Sequence, residues 1–276
     1  MKRLAAISAL FAASLLFSLP ATAQKPYEPQ VGQAGKDVIW VPTPDEVVDR
    51  MLRMAQVTPN DLVYDLGAGD GKIAIAAAKK FGARSVGIEY NPEMAKFAQG
   101  NAEKAGVAGR ARILNGDIFV TDFSQATVVT MYLLPGLNMK LRPTLLAMRP
   151  GTRVVSHSFT MEDWEADEIS SMDGRRAYFW VVPANVGGSW ALESGTEKSE
   201  LSFEQRFQKI EGNIGLGSTI QGGLRDARLR GFNISFAIVD NNGVLRSYSG
   251  RVVGGKMEGS WRGDNGAEGR WTATKK

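Results

Sequence analysis

The sequence predicts an α/β fold followed by an antiparallel β-domain, and three observations carry that reading. Between residues 62 and 183, apolar strand-like runs alternate with amphipathic stretches at helical spacing. Beyond Ala184 no helical period survives, and short alternating segments are separated by glycine-rich turns. Where the first strand gives way to the first helix of the series lies a glycine hairpin, Gly67-Ala68-Gly69-Asp70-Gly71. Strand and helix alternating at this pitch imply a parallel sheet covered on both faces, with right-handed crossovers.

Each element has its own local signal. Lys2 and Arg3 precede an apolar run over 4–19 and then Pro20-Ala21-Thr22-Ala23. That layout predicts a cleavable signal peptide at 1–23, with Ala21 and Ala23 as the small-x-small cleavage pattern, in a run too short to span a bilayer. Residues 24–37 are polar and broken by Pro26, Pro29 and two glycines, and read as a flexible lead-in. Thr43-Pro44-Asp45-Glu46 has a capping threonine, proline at the first helical position and glutamate three residues on, which predicts a capped helix with Val47, Val48, Met51, Leu52 and Ala55 on its buried face. Strands are expected at 62–66, 85–90, 112–116, 127–133 and 154–159, with two more near Glu168 and over 177–183. Helices are expected at 72–81, ending on Gly82, after the Asn91-Pro92 cap, and from about 137 to 148 with a kink or restart at Pro143.

In the last third the alternation has a period of two. Leu201, Phe203 and Phe207 point one way, and Phe232, Ile234, Phe236 and Ile238 repeat the pattern. Asp240-Asn241-Asn242-Gly243 signals a hairpin, and Gly-x-Trp recurs at Trp190, Trp261 and Trp271. The division expected is an α/β domain over 38–184 and an antiparallel β-meander or small barrel over 185–276, its tryptophans serving as core.

Composition excludes several chemistries. The chain has 276 residues, 43% of them hydrophobic, and no cysteine, so disulfides, a thiolate nucleophile and cysteine-based metal sites are ruled out. His157 is the one histidine, which removes His-rich metal sites. The formal charge of +4 falls to +2 when Lys2 and Arg3 are subtracted, and the remaining basic residues are scattered singly, so nucleic-acid binding is not expected.

The glycine hairpin is a cofactor cradle, because glycines at alternate positions let the backbone lie against a ligand. Asp65 and Asp70 flank it and would repel a pyrophosphate, while a dinucleotide fingerprint would need its third glycine at Lys72. A cofactor with a cationic amino-acid end is attracted instead. Glu89 ends the second strand, at the position from which a carboxylate accepts from ribose hydroxyls, and Asp117 follows the third, placed to accept from an adenine amino group with Ile118 against the ring. Acids at three successive strand ends, Asp65, Glu89 and Asp117, form an ordered set.

On these residues the chain resembles the class I S-adenosylmethionine-dependent methyltransferases from about Val38 to Pro183. Asp65-Leu66-Gly67-Ala68-Gly69-Asp70-Gly71 is similar to their first motif, Glu89 to their ribose acid and Asp117 to their adenine acid. Val41-Pro42-Thr43-Pro44 and Met131-Tyr132-Leu133-Leu134-Pro135 look like the protein-lysine methyltransferases that modify the ATP synthase c-subunit and, more distantly, the non-SET histone-lysine methyltransferases. The resemblance implies a Rossmann-like seven-stranded sheet with its last strand antiparallel, S-adenosylmethionine as cofactor, and Thr43, Asp65, Gly67, Ala68, Gly69, Asp70, Gly71, Glu89, Asp117 and Ile118 around it. Tyr132 is expected to line the acceptor channel; His157 is the one imidazole available as a base, with a hydrogen-bonded scaffold residue as its other and favoured reading. The acceptor stays open, with a protein lysine as first candidate, as does the alternative of a non-catalytic envelope protein that retains the fold and recognises a partner through its β-domain. Export implies a periplasmic or secreted protein with no membrane span after cleavage.

Overall fold

The computed structural model describes residues 27–276 apart from 217 and 218, so the expected signal peptide at 1–23 lies outside the described residues. The α/β part runs α1 (Asp45–Met54), β1 (Leu62–Leu66), α2 (Lys72–Phe81), β2 (Arg84–Glu89), α3 (Pro92–Lys104), β3 (Ala111–Asn115), β4 (Val128–Met131), α4 (Pro135–Leu146), β5 (Arg153–His157), β6 (Glu168–Met172) and β7 (Arg175–Val181). Its sheet has the order β3-β2-β1-β4-β5-β7-β6, with β7 antiparallel to both β5 and β6. The expected seven strands and the reversed last strand are both present. Strand order reverses between β1 and β4, and a ligand crevice opens at their carboxyl ends.

One face of the sheet is covered by α1 and α2, through Val48, Met51 and Leu52 against Val155 and Phe179. The other carries α4, whose Leu141 and Leu145 share a core with Leu66, Val129, Trp164 and Trp180. Boundaries fall one or two residues from those expected, so that Tyr132 and Phe159 stand beyond β4 and β5, in the loops that rim the crevice.

Three local expectations are corrected. Thr43 does not cap α1: the N-cap is Pro44, without a side-chain bond, and its carbonyl accepts from Val47 and Val48 at 3.0 Å each. The threonine hydroxyl is drawn inward to His157, so a tertiary partner overrides the local rule. Helix α4 starts at Pro135 and runs to Leu146 with Pro143 inside it, so it does not restart there; the proline forfeits its own backbone N–H bond. From residue 30 on, the lead-in is folded rather than loose, since Gly32 N donates to Trp40 O (2.8 Å) and Trp40 N to Gln33 O (2.9 Å), closing a hairpin that passes over the crevice. Among the described residues, no helix is long and apolar enough to cross a membrane.

The second part consists of β8 (Gly188–Ser194), β9 (Glu197–Arg206), β10 (Lys209–Leu216), β11 (Thr219–Gly223), β12 (Arg225–Arg230), β13 (Asn233–Val239), β14 (Leu245–Val253), β15 (Lys256–Gly263) and β16 (Glu268–Lys275). They form one antiparallel sheet in the order β11-β10-β9-β8-β16-β15-β14-β13-β12. Only Leu224 separates β11, which pairs with β10, from β12, which pairs with β13, so one bent strand brings the sheet nearly to closure as a barrel. The expected meander is thus present, and Trp190 and Trp271 are buried in its core. At the end remote from the first domain, Arg246 is enclosed between Glu197 (2.6 Å) and Asp240 (2.7 Å) and lies over Trp261.

Phe207 and Phe232 do not belong to the barrel interior. Both sit in hairpin turns, where the two-residue period resets, and both reach the first domain: Phe207 stacks on Trp164, and Phe232 packs on Gly151.

Candidate active site

Each wall of the crevice follows from a strand end. Gly67, Gly69 and Gly71 all have positive φ (77°, 55° and 81°), the backbone shape that lets the loop after β1 turn back sharply. Gly67 N and Ala68 N both donate to Ile88 O at 2.9 Å, tying the loop to β2. Room for this comes from Gly87, where a Cβ would stand 2.7 Å from Ala68 Cβ. Sequence reading missed Gly87, although a glycine inside an apolar strand is a sign of close backbone approach. Gly69 is bare for a second reason, because a Cβ there would lie 2.5 Å from the Trp40 indole nitrogen.

The expected carboxylates converge on one cavity, lined by Asp65, Asp70, Glu89 and Asp117 together with Thr43, Ile118 and Tyr132. Asp65 is almost fully buried and accepts from Thr130 Oγ1 at 2.8 Å. Burial pushes its carboxyl up to about 7; the hydrogen bond from Thr130 opposes this, and the nearby charges of Asp70 and Glu89 add to it. Burial also raises Asp70, whose Oδ1 accepts from Lys72 N at 3.2 Å. Glu89 accepts from Gly69 N and Asn91 N, each at 2.9 Å, which fixes both oxygens at the mouth of the glycine loop. Asp117 accepts from Phe119 N at 2.9 Å and pairs with Lys36 at 2.6 Å, the lysine holding its carboxyl below the usual carboxylate range.

Lys36 and Trp40 belong to the strap formed by the folded lead-in, and sequence reading assigned neither a role. Lys36 also lies over the Tyr90 ring at 4.9 Å. Nothing in a polar, proline-broken stretch marks such contacts, because each depends on a partner far along the chain.

The other end of the cavity is different in kind. Tyr132, Leu133, Leu134, Leu137 and Phe159 line it, and Tyr132 and Phe159 stack with centroids 6.1 Å apart. His157 is not among the lining residues. It is buried behind Tyr132, ring centroids 4.0 Å apart, with Nδ1 3.2 Å from Thr43 Oγ1. Burial, and then the charge of Arg175, lower its imidazole to about 4, so it stays neutral near pH 7. Among the described residues no cluster of potential ligands suits a metal ion.

An acid-lined cradle bordering an apolar, aromatic channel, on a sheet of this order with β7 reversed, defines the class I S-adenosylmethionine-dependent methyltransferases. The ANTKMT methyltransferase domain matches residues 65–168. A protein-lysine N-methyltransferase of Saccharolobus islandicus is 50% identical over 151 residues, covering 52% of this chain and 94% of that protein. The mouse lysine N-methyltransferase of the ATP synthase c-subunit is 34% identical over 152 residues, 54% of this chain and 61% of that protein. Among solved structures, an RNA methyltransferase from Salinibacter ruber in complex with S-adenosyl-L-homocysteine is 51% identical with a TM-score of 0.52, covering 53% of this chain and 96% of that one. The chain belongs to the methyltransferase family of these relatives: it is an enzyme, and its cofactor is S-adenosylmethionine.

Proposed function

We propose that this enzyme methylates the ε-amino group of a lysine in a protein acceptor. The observation that carries the proposal is the division of one cavity between Asp65, Asp70, Glu89 and Asp117, which follow from the ends of β1, β2 and β3, and Tyr132, Leu133, Leu137 and Phe159, which stand beyond β4 and β5. The name of the Saccharolobus islandicus relative, half identical over nearly its whole length, supports the same acceptor.

S-adenosylmethionine supplies a methyl group already activated by its sulfonium. Asp65 and Asp70 would hold the amino-acid end, Glu89 the ribose, and Asp117 with Ile118 the adenine, on the loop of Gly67, Ala68 and Gly69; Gly71, expected beside the cofactor, is outside the cavity lining and packs toward Ala98 and Ile113. For the acceptor, the apolar end strips water from the incoming amine, which disfavours the ammonium and favours the neutral form with its lone pair free. Tyr132 and Phe159 align it for in-line attack, and alignment in a dry channel is the greater part of what such a transfer requires. We assign His157 to positioning: neutral and out of the cavity, it holds Thr43 and backs Tyr132. The leader-like segment at 1–23 supports a periplasmic or secreted location.

Tritiated methyl transfer from S-adenosylmethionine into envelope extract tests the proposal. Label in a protease-sensitive, nuclease-resistant species, recovered after hydrolysis as methyl-lysine and absent with Asp65→Ala or Glu89→Ala protein that still folds, is the expected result. Label recovered in RNA, or in another side chain, would overturn it.

A further inference from the structure

We propose that the barrel serves catalysis by clamping the acceptor-side wall, with Phe207 as its positioning residue. The inference rests on the assignment of Tyr132 and Phe159 to the acceptor end. Phe159 lies in the loop 158–167 between β5 and β6, in which Ser158 and Glu162 adopt φ of 64° and 52°, conformations that side chains with a Cβ resist; β7 ties the loop through Ser158 N to Arg176 O (2.7 Å) and Trp180 Nε1 to Trp164 O (2.8 Å).

Two further elements hold it. From α4, Asn138 Nδ2 donates to Phe159 O (3.3 Å) and Thr160 O (3.1 Å), and Arg142 donates to Met161 O (3.2 Å) and pairs with Asp163. From the barrel, the β9–β10 turn adds its own contacts. Phe207 stacks on Trp164 at 6.1 Å and 26°, with the Arg142 guanidinium 5.5 Å from the same ring. Arg206 pairs with Asp163 at 3.1 Å, Gln208 Nε2 donates to Glu165 O at 2.7 Å, and Lys209 pairs with Glu165 at 2.7 Å. Phe207 itself has φ of 54°, so the turn is bent to aim its ring at the first domain rather than into the barrel.

This turn therefore grips both supports of the acceptor wall, the loop bearing Phe159 and the helix that follows Tyr132-Leu133-Leu134. The glycine loop and the acids of β1, β2 and β3 occupy the other half of the sheet. The barrel should thus govern use of the acceptor and leave cofactor binding alone.

Hydrogen–deuterium exchange on the full chain, with calorimetric titration of S-adenosylhomocysteine, tests this without knowledge of the acceptor. In Phe207→Ala, amides of 159–165 should exchange at least tenfold faster, while those of 66–72 and the affinity for S-adenosylhomocysteine change less than twofold. Phe207→Tyr, which keeps the stacking ring, should restore slow exchange. In the extract assay, acceptor kcat/KM should fall tenfold or more at an unchanged KM for S-adenosylmethionine. Should Phe207→Ala not fold, Gln208→Ala, lacking one bond to the loop, should show the same segment-specific change at about threefold. Unaltered exchange over 159–165, or cofactor affinity lost in parallel, would overturn the proposal. If the parent enzyme labels no lysine, the lysine reading fails while the exchange result still decides this one.

Discussion

Asp65 is a carboxyl whose proton competes with the cofactor. Burial holds it near 7, and a cationic ligand favours the anion, so binding drives the proton off. Below pH 7 the affinity for S-adenosylmethionine should rise with pH by up to about tenfold per unit, the limit for one released proton, and level off above it. Calorimetry in buffers of different ionisation enthalpy reads that proton directly. Asp65→Asn should lose the slope and bind roughly 10- to 100-fold more weakly, the size of a lost charge-assisted hydrogen bond. His157 acts on stability instead. The unfolded chain takes up this proton near pH 6.5 and the folded chain only near 4, so the stability it contributes is complete above 6.5 and is lost as pH falls through 4. Denaturant titrations at pH 7 and 4.5 should differ less in His157→Gln than in the parent, by about 2–3 kcal/mol.

The strap is the element that closes the cofactor site, and its fit is set at Gly69. A methyl group there meets the Trp40 indole and must also accept a φ of 55°, so Gly69→Ala should displace the strap and weaken cofactor binding by about tenfold or more. In a Trp40→Ala background the same change should cost less, since the collision is gone and only the backbone strain remains; a double-mutant cycle on S-adenosylhomocysteine affinity measures the difference. How far such elements are legible in a sequence depends on where their partners lie. The strands β1 to β5 and the acids at their ends were readable because burial pattern, glycine hairpin and strand-end carboxylate are all local features. Thr43 misled because a capping box is a local rule, and its hydroxyl found His157 more than a hundred residues away. Lys36 and Trp40 carried no local sign at all, and Phe207 continued an alternation that the turn had already ended. Closure of the barrel was hidden in Leu224, one residue at which a strand changes partners.

At the scale of the molecule, two separately packed bodies meet through a few hairpin tips. The barrel core of Trp190, Phe203, Phe236, Tyr248 and Trp271 shares no residue with the cores beneath the seven-stranded sheet, whereas Phe207 packs against one of the latter. Trp271 is its keystone: its ring lies 5.6 Å from Phe236 and 5.9 Å from Tyr248, its Nε1 donates to Ser249 O and Ser260 O, and Gly250 leaves the space that the indole fills. Truncating so enclosed an aromatic residue costs about 3–5 kcal/mol, and separate cores confine that cost to the barrel. A ligand stabilises only the body that binds it, by about 2.7 kcal/mol at a hundredfold excess over Kd, or roughly 5–10 °C for a domain of this size. Scanning calorimetry should therefore resolve two transitions, one raised by S-adenosylhomocysteine and the other lowered by Trp271→Ala. A single transition that responds to both would mean that the hairpin contacts at Phe207 and Phe232 couple the two bodies more tightly than their separate cores imply.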